Sequence, residues 1–233
     1  MLGYRLVRGI SIVFPYSYCP SCKHSLAWYD NIPLISFIFL RGKCRYCEKP
    51  ISLLYPFIEL LTVLVMLGLF YLIDSHYWFS YFIFFSALIV TIRTDFETML
   101  ISRYTTLFLI PLGFVLSIMG LLPITLSQSI IGTLFGYFFL YSIAKTFFWY
   151  TNKEGMGQGD LELLACIGSF TGFLGCWITL MLASTIGALC GITYMIISGQ
   201  RHSVKIPFGP FLALGAIAFV LFQNYFFTIF LLL

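Results

Sequence analysis

Three features of the 233-residue sequence predict an all-α polytopic membrane protein of about seven transmembrane helices, led by a small amino-terminal cytoplasmic zinc-ribbon-like segment. They are the apolar composition, several long apolar runs, and four cysteines in two CxxC pairs. Sixty per cent of the residues are apolar, 9% are charged and the mean hydropathy is +0.97, whereas a soluble domain carries about 25% charged residues. So few charges cannot cover that much apolar surface in water. The 26 Phe and 15 Tyr suit lipid-facing helices and their headgroup boundaries. The net charge of +4 does not point to nucleic acid, because the basic residues form no run interleaved with exposed aromatics. The expected surroundings are a lipid bilayer, with no nucleic acid.

Crossing a hydrocarbon core of about 30 Å takes roughly 17 to 25 apolar residues. Runs of this kind lie near Leu53–Ile73, Tyr77–Ile92, Tyr104–Leu122, Ser127–Phe148 and Pro207–Leu231. A further stretch, Leu161–Ser198, is too long for one crossing. Gly172 and Gly175 predict a break that makes it a hairpin. Lys and Arg concentrate in cytoplasmic loops, and this map puts all 13 on one side. Seven precede the first span, and Arg93, Arg103, Lys145, Lys153, Arg201 and Lys205 fall in later inward segments, while the turns Asp74–His76 and Leu122–Leu126 hold none. The amino terminus is therefore expected in the cytoplasm and the carboxyl terminus outside. The polar, basic, Cys-containing first fifty residues show no cleavable signal pattern.

Two parts are expected: residues 1–50, a cytoplasmic four-cysteine zinc-binding segment, and residues 51–233, the transmembrane body. The first part is rich in turn formers and poor in periodic apolar positions, so something other than a core must hold it. Cys19-Pro-Ser-Cys22 and Cys44-Arg-Tyr-Cys47, 21 residues apart, match the knuckle spacing of a zinc ribbon. Four thiolates around one Zn2+ convert binding energy into folding energy. Two disulfides or four idle thiols are the alternatives, and a reducing cytoplasm argues against the disulfides. Cys166, Cys176 and Cys190 have no ligand spacing and are read as small buried hydrophobes.

Among the nine acids, Asp95 follows the inward end of the second span, and Asp160 opens the hairpin after Gly157-Gln158-Gly159. Both face the same boundary although 65 positions separate them. A glycine before Asp160 lets the loop approach another helix closely. Two carboxylates within reach of each other share a proton, so one activates water while the other protonates the scissile carbonyl. Helix capping by Asp160 and an interfacial charge at Asp95 are the bland alternatives. The dipole of the helix that Asp160 begins predicts that Asp160 is the charged member and Asp95 the protonated one. His24, His76 and His202 are isolated, and a solvated side chain is expected for His24 and His202. Glu59 lies within the first span, where an ionised acid costs about 2.5–3.5 kcal/mol. It must be protonated or paired.

Taken together, Cys19-Pro-Ser-Cys22, Trp28-Tyr29-Asp30-Asn31-Ile32-Pro33-Leu34, Arg41-Gly42-Lys43-Cys44-Arg45-Tyr46-Cys47, Pro50-Ile51-Ser52-Leu53-Leu54-Tyr55-Pro56 and Gly157-Gln158-Gly159-Asp160 resemble the type IV prepilin peptidase family. The last fits its GxGD signature, and Asp95 with Ile101 resembles its first aspartate motif. The resemblance implies an aspartic endopeptidase of the bacterial cytoplasmic (inner) membrane. It would cleave the basic leader of prepilins and pseudopilins after a glycine, with Asp95 and Asp160 catalytic, Gly157 and Gly159 supporting the loop, and Cys19, Cys22, Cys44 and Cys47 holding structural Zn2+. It also implies methylation of the new amino terminus from S-adenosylmethionine, associated with the cysteine segment, and a part for Glu59 there or in tying helices together. Two departures stand out: Ser102 replaces the proline usual after the isoleucine, and family members typically begin with a further transmembrane helix. Two other readings remain open. One is a broader GxGD intramembrane protease, and the other a non-enzymatic zinc-ribbon membrane assembly factor.

Overall fold

A computed structural model describes residues 18–198 and 207–232. Arg5, Arg8, Arg201, His202 and Lys205 lie outside the described residues. Within them every regular element is helical, apart from two isolated bridges, Tyr18 with Ser25 and Lys43 with Pro50. Following a 3-10 turn at Trp28–Asn31, the helices are α1 (Ile35–Phe39), α2 (Leu54–Leu72), α3 (Trp78–Thr98), α4 (Arg103–Ile118), α5 (Leu126–Thr151), α6 (Gln158–Ser198), α7 (Gly209–Leu221) and α8 (Gln223–Leu232). Four helical stretches, Leu54–Leu72, Ser75–Thr98, Leu126–Thr151 and Gln158–Ser198, are long and apolar enough to cross a membrane, and shorter apolar helices cover Thr105–Ile118 and Gly209–Leu221. The chain divides into two compact units at Leu67/Gly68.

The first unit is built on two knuckles of the same construction. In one, the Lys23 N–H bonds the Cys19 carbonyl at 2.8 Å, and in the other the Glu48 N–H bonds the Cys44 carbonyl at 3.0 Å. Lys23 and Glu48, each the residue after its CxxC pair, share φ of 57°. This left-handed conformation turns the chain around the sulfurs. His24 is exposed, as expected, and one side of its ring lies against Tyr46 with centroids 3.6 Å apart, joining the knuckles. Arg45 reaches buried Asp30 at 2.7 Å, anchoring the second knuckle to the 3-10 turn.

In the second unit, the long stretch α6 is two arms rather than one rod. Gly172 has φ 70° and ψ −172°, a backbone state that side chains strongly disfavour. Beyond it the chain turns back, so that Cys176 Sγ lies 3.8 Å from the Leu164 carbonyl twelve residues earlier. In a straight helix those residues stand about 18 Å apart. The predicted hairpin is therefore present, with its break at Gly172. The last span is also divided, at Phe222 between α7 and α8.

Lipid tails are as apolar as leucine, so these helices associate by close packing and hydrogen bonds rather than by water exclusion. Gly132 of α5 and Gly168 of α6 meet backbone to backbone. Nearby, Ser129 Oγ donates to the Ser169 carbonyl at 2.5 Å. Phe84 of α3 stacks on Phe170 of α6 at 4.5 Å, within a core that includes fully buried Leu88, Leu164 and Leu212. At one end of this bundle His76 Nε2 contacts the Gly120 carbonyl at 3.0 Å, and Gly172 lies against Ile124. The two turns read as external therefore lie at the same end as the Gly172 break. The starts of α4, α6 and α7 gather at the opposite end.

The second span is longer than its hydropathy indicates. The apolar run stops at Ile92, but α3 continues to Thr98 and carries Asp95 inside it, 4% exposed. Within the polar tail, Thr91, Thr94 and Arg93 find partners on their own helix. Thr91 bonds the Ala87 carbonyl, Thr94 the Thr91 carbonyl, and Arg93 pairs with Glu97 at 2.6 Å. Met99, with φ 53°, ends the helix by returning its N–H to the Asp95 carbonyl at 2.9 Å.

Candidate active site and metal centre

The end of α3 and the starts of α6 and α7 converge around the two aspartates. Asp95 stands one turn before the end of α3, and Asp160 lies in the first turn of α6. The Asp160 carboxylate is within electrostatic reach of Asp95. Asp95 Oδ2 accepts the N–H of Gly209, the first residue of α7, at 3.1 Å. Asp160 Oδ1 is buried and has no hydrogen-bond partner among the described residues. A pair of acids with one oxygen held by a backbone amide and another left unengaged can bind a water or a carbonyl between them.

Ile101 is the residue that brings the loops together. A Cβ on Gly159 would lie 2.8 Å from Ile101 Cβ, and one on Gly209 would lie 3.0 Å from Ile101 Cδ1 and 2.6 Å from Asp95 Oδ2. Neither position has room for a side chain. Gly157 is different, since a Cβ there would meet only Asp160 Oδ2, at an ordinary 3.5 Å. The closeness demanded of the glycine before Asp160 is thus set by the isoleucine after Asp95.

Gly209 was not among the residues singled out in the sequence. Its signal was a Gly-Pro pair opening an apolar helix, where proline suits the first turn and glycine permits close approach. Its amide also alters the dipole argument. The start of α7 points an N–H at Asp95 just as the start of α6 carries Asp160, so helix dipoles favour a charge on either acid and do not divide the proton between them.

In the first unit, the Sγ atoms of Cys19, Cys22, Cys44 and Cys47 all lie within 4.8 Å of one another. Cys19 and Cys47 Sγ are 3.8 Å apart, and a tetrahedron with Zn–S bonds of about 2.3 Å has edges of about 3.8 Å. The set could bind a metal such as zinc. Burial raises the Cys19 thiol, but bonds from the Cys22 and Ser21 backbone and from the Cys22 and Cys44 side chains outweigh it, bringing Cys19 down to about 7. Cys47 moves the other way, to about 11, since the help of the Lys49 amide is overcome by burial and by the neighbouring cysteines. Competition of this kind among four thiols is what a bound dication would resolve.

Glu59 is paired. Its Oε2 accepts the N–H of Leu34 at 2.8 Å, and Leu34 has φ of 61°, an uncommon conformation for a residue with a side chain. The glutamate thereby secures the turn between the 3-10 segment and α1.

Comparison with known proteins agrees with this architecture. Residues 1–73 match the bacterial peptidase A24 N-terminal domain, and residues 82–192 match the type IV leader peptidase family. A prepilin leader peptidase/N-methyltransferase of Aeromonas hydrophila is 35% identical over 206 residues, covering 88% of this chain and 71% of the relative. A protein of the same name from Pseudomonas aeruginosa is 33% identical over 210 residues, covering 88% and 71%. One from Legionella pneumophila is 30% identical over 213 residues, covering 89% and 72%. No solved structure matches. With family models on both halves and relatives aligned along most of its length, this multi-pass membrane protein belongs to the type IV leader peptidase family.

Proposed function

We propose that the chain is an aspartic endopeptidase that removes the basic leader of type IV prepilins and pseudopilins after a glycine. It would act at the cytoplasmic face of the bacterial inner membrane, with its amino terminus inside and its carboxyl terminus outside. The observation that carries this reading is the approach of the segments bearing Asp95 and Asp160, linked through Ile101 and Gly209, with an amide donor on the first acid and an unengaged oxygen on the second.

Two neighbouring carboxylates hold one proton between them. The ionised member takes a proton from the attacking water as its oxygen bonds to the scissile carbonyl carbon, and the other gives its proton to the carbonyl oxygen. Collapse of the tetrahedral species breaks the C–N bond. The leaving amine takes up a proton, and the shared proton is restored. Gly209 N–H orients Asp95 in this scheme, and Gly159 with Ile101 sets the approach of the two loops. Gly157 leaves space beside Asp160.

The names of the relatives support a second step, methylation of the freed amino terminus from S-adenosylmethionine. The amino-terminal segment, residues 1–50, together with Glu59 is the part proposed for it, and Cys19, Cys22, Cys44 and Cys47 would hold a structural Zn2+ that maintains its fold. The test is the full chain in lipid nanodiscs with a prepilin peptide, with and without S-adenosylmethionine, read by mass spectrometry. Leader loss is expected in both arms and a methylated product only with the donor. Asp95→Asn and Asp160→Asn should each abolish cleavage. Full cleavage by either variant would exclude the dyad, and a function lost on cysteine substitution but kept in both aspartate variants would favour the non-enzymatic assembly factor.

A further inference from the structure

Glu162 follows Asp160 by two residues and is buried, its side chain 6% exposed, whereas its partner Arg103 is 61% exposed. Arg103 Nε donates to Glu162 Oε1 at 3.0 Å, its Nη2 stands 2.9 Å from the same oxygen as an ion pair, and Thr106 Oγ1 donates to Oε2 at 3.4 Å. The pair spans 59 positions and joins the first turn of α4 to the opening of α6. Among the described residues, the hydrogen bonds and ion pair to this carboxylate come from α4, the helix that begins two positions after Ile101.

Two residues apart on a helix means about 200° apart around its axis. Glu162 and Asp160 therefore leave α6 on nearly opposite sides, and anchoring one sets the direction of the other. Arg103 stands two positions after Ile101, whose side chain occupies the space facing Gly159 and Gly209. The ion pair and the Ile101 contact act on the same two loops from neighbouring points. Together they leave α6 little freedom to rotate or to withdraw from α3.

Tying helices together is the simpler role for such a pair. Yet a buried carboxylate loses hydration that a single solvent-exposed partner only partly replaces, and apolar residues of similar volume would hold the helices at least as well. What an apolar contact lacks is direction. A guanidinium that gives an Nε–H to a carboxylate oxygen and keeps Nη2 beside the same oxygen fixes distance and angle together.

We propose that Arg103 and Glu162, supported by Thr106, are positioning residues that set the spacing and orientation of the Asp95–Asp160 pair. The proposal rests on the peptidase reading, and the experiment separates the two. The full chain in nanodiscs is assayed on a prepilin peptide as wild type, Asp160→Asn, Glu162→Gln, Arg103→Gln, Arg103→Lys, the neutral double variant R103Q/E162Q and the charge swap R103E/E162R. Glu162→Gln and Arg103→Gln are expected to lower kcat about ten- to a hundred-fold, the size of loss that a misplacement of about 1 Å causes, with KM little changed. The charge swap, which keeps a guanidinium across the contact, should recover most of kcat, and Arg103→Lys, which keeps the charge without the directed guanidinium, only part of it. In R103Q/E162Q, which carries no net change in charge, the acid and alkaline limbs of the kcat profile should draw together, because carboxylates held further apart split their titrations less.

Wild-type kcat in both single glutamine variants would overturn the positioning role, as would limbs in R103Q/E162Q that stay where the wild type has them. The limb measurement decides the matter even if the charge swap fails to fold. An active Asp160→Asn enzyme overturns the dyad itself. An inactive Asp160→Asn beside a fully active Glu162→Gln removes only the clamp.

Discussion

Gly209 gives its backbone N–H to Asp95 across 114 positions of sequence, at 3.1 Å, and a side chain on that glycine would occupy the space of the oxygen it serves. Gly209→Ala should therefore displace Asp95 rather than unfold the bundle. A loss of about ten- to a hundred-fold in kcat is expected, with an unchanged melting temperature in nanodiscs. Peptide cleavage kinetics beside differential scanning fluorimetry check it.

The two glycines of the GxGD loop should respond unequally. Gly159→Ala brings a methyl group to 2.8 Å from Ile101 Cβ, which the branched side chain cannot clear without moving the loop, while Gly157→Ala meets only Asp160 Oδ2 at 3.5 Å. The first is expected to be nearly inactive and the second to keep a substantial part of its activity, as peptide cleavage would read directly.

For the cysteine cluster, one zinc per chain is expected in purified protein, lost in Cys44→Ser. The ligand form of each cysteine is the thiolate, so protons compete with the metal and retention must fall with acidification. Cys19, near 7, gives up its proton readily at neutral pH, whereas Cys47, near 11, does so only when the metal drives it. Zinc should be held above neutrality and released as pH falls through the acid range. Metal analysis after dialysis at stepped pH reads this, and retention that did not vary with pH would exclude thiolate coordination.

Glu59 separates an acceptor role from a charge role. Glu59→Gln keeps an oxygen for the Leu34 amide, whereas Glu59→Leu leaves that amide unpaired, at a cost of about 1–3 kcal/mol. Faster zinc loss to a chelator is expected from the leucine variant alone. If glutamine also impairs methylation while leaving zinc in place, the carboxylate has a part in methyl transfer beyond holding the turn.

How much of this was legible beforehand follows the range of each interaction. The helical membrane architecture, the Gly172 hairpin and the two knuckles were readable, because apolar run length, a glycine break and CxxC spacing are signals carried by neighbouring residues. Asp95 was recognised but set beyond the span. A hydropathy run ends where polar residues begin, and nothing local tells that Thr91, Arg93 and Thr94 are buried with partners on their own helix. The stacking of His24 on Tyr46 was hidden for a similar reason, since it depends on two knuckles facing each other.

By itself, the order of residues determined the solvent of this protein, the approximate placement of its long apolar helices, and the chemical kinds of group available. These follow from the partition of side chains between water and lipid and from the backbone's need to bond within its own segment. Only the packed structure decided which groups meet. The Gly209 amide reaches Asp95, Ile101 faces both Gly159 and Gly209, and Arg103 holds Glu162 because helices far apart in the chain approach at particular angles. Those angles come from the summed fit of many side chains, such as Gly132 on Gly168 and Phe84 on Phe170, and no single stretch of sequence contains that sum.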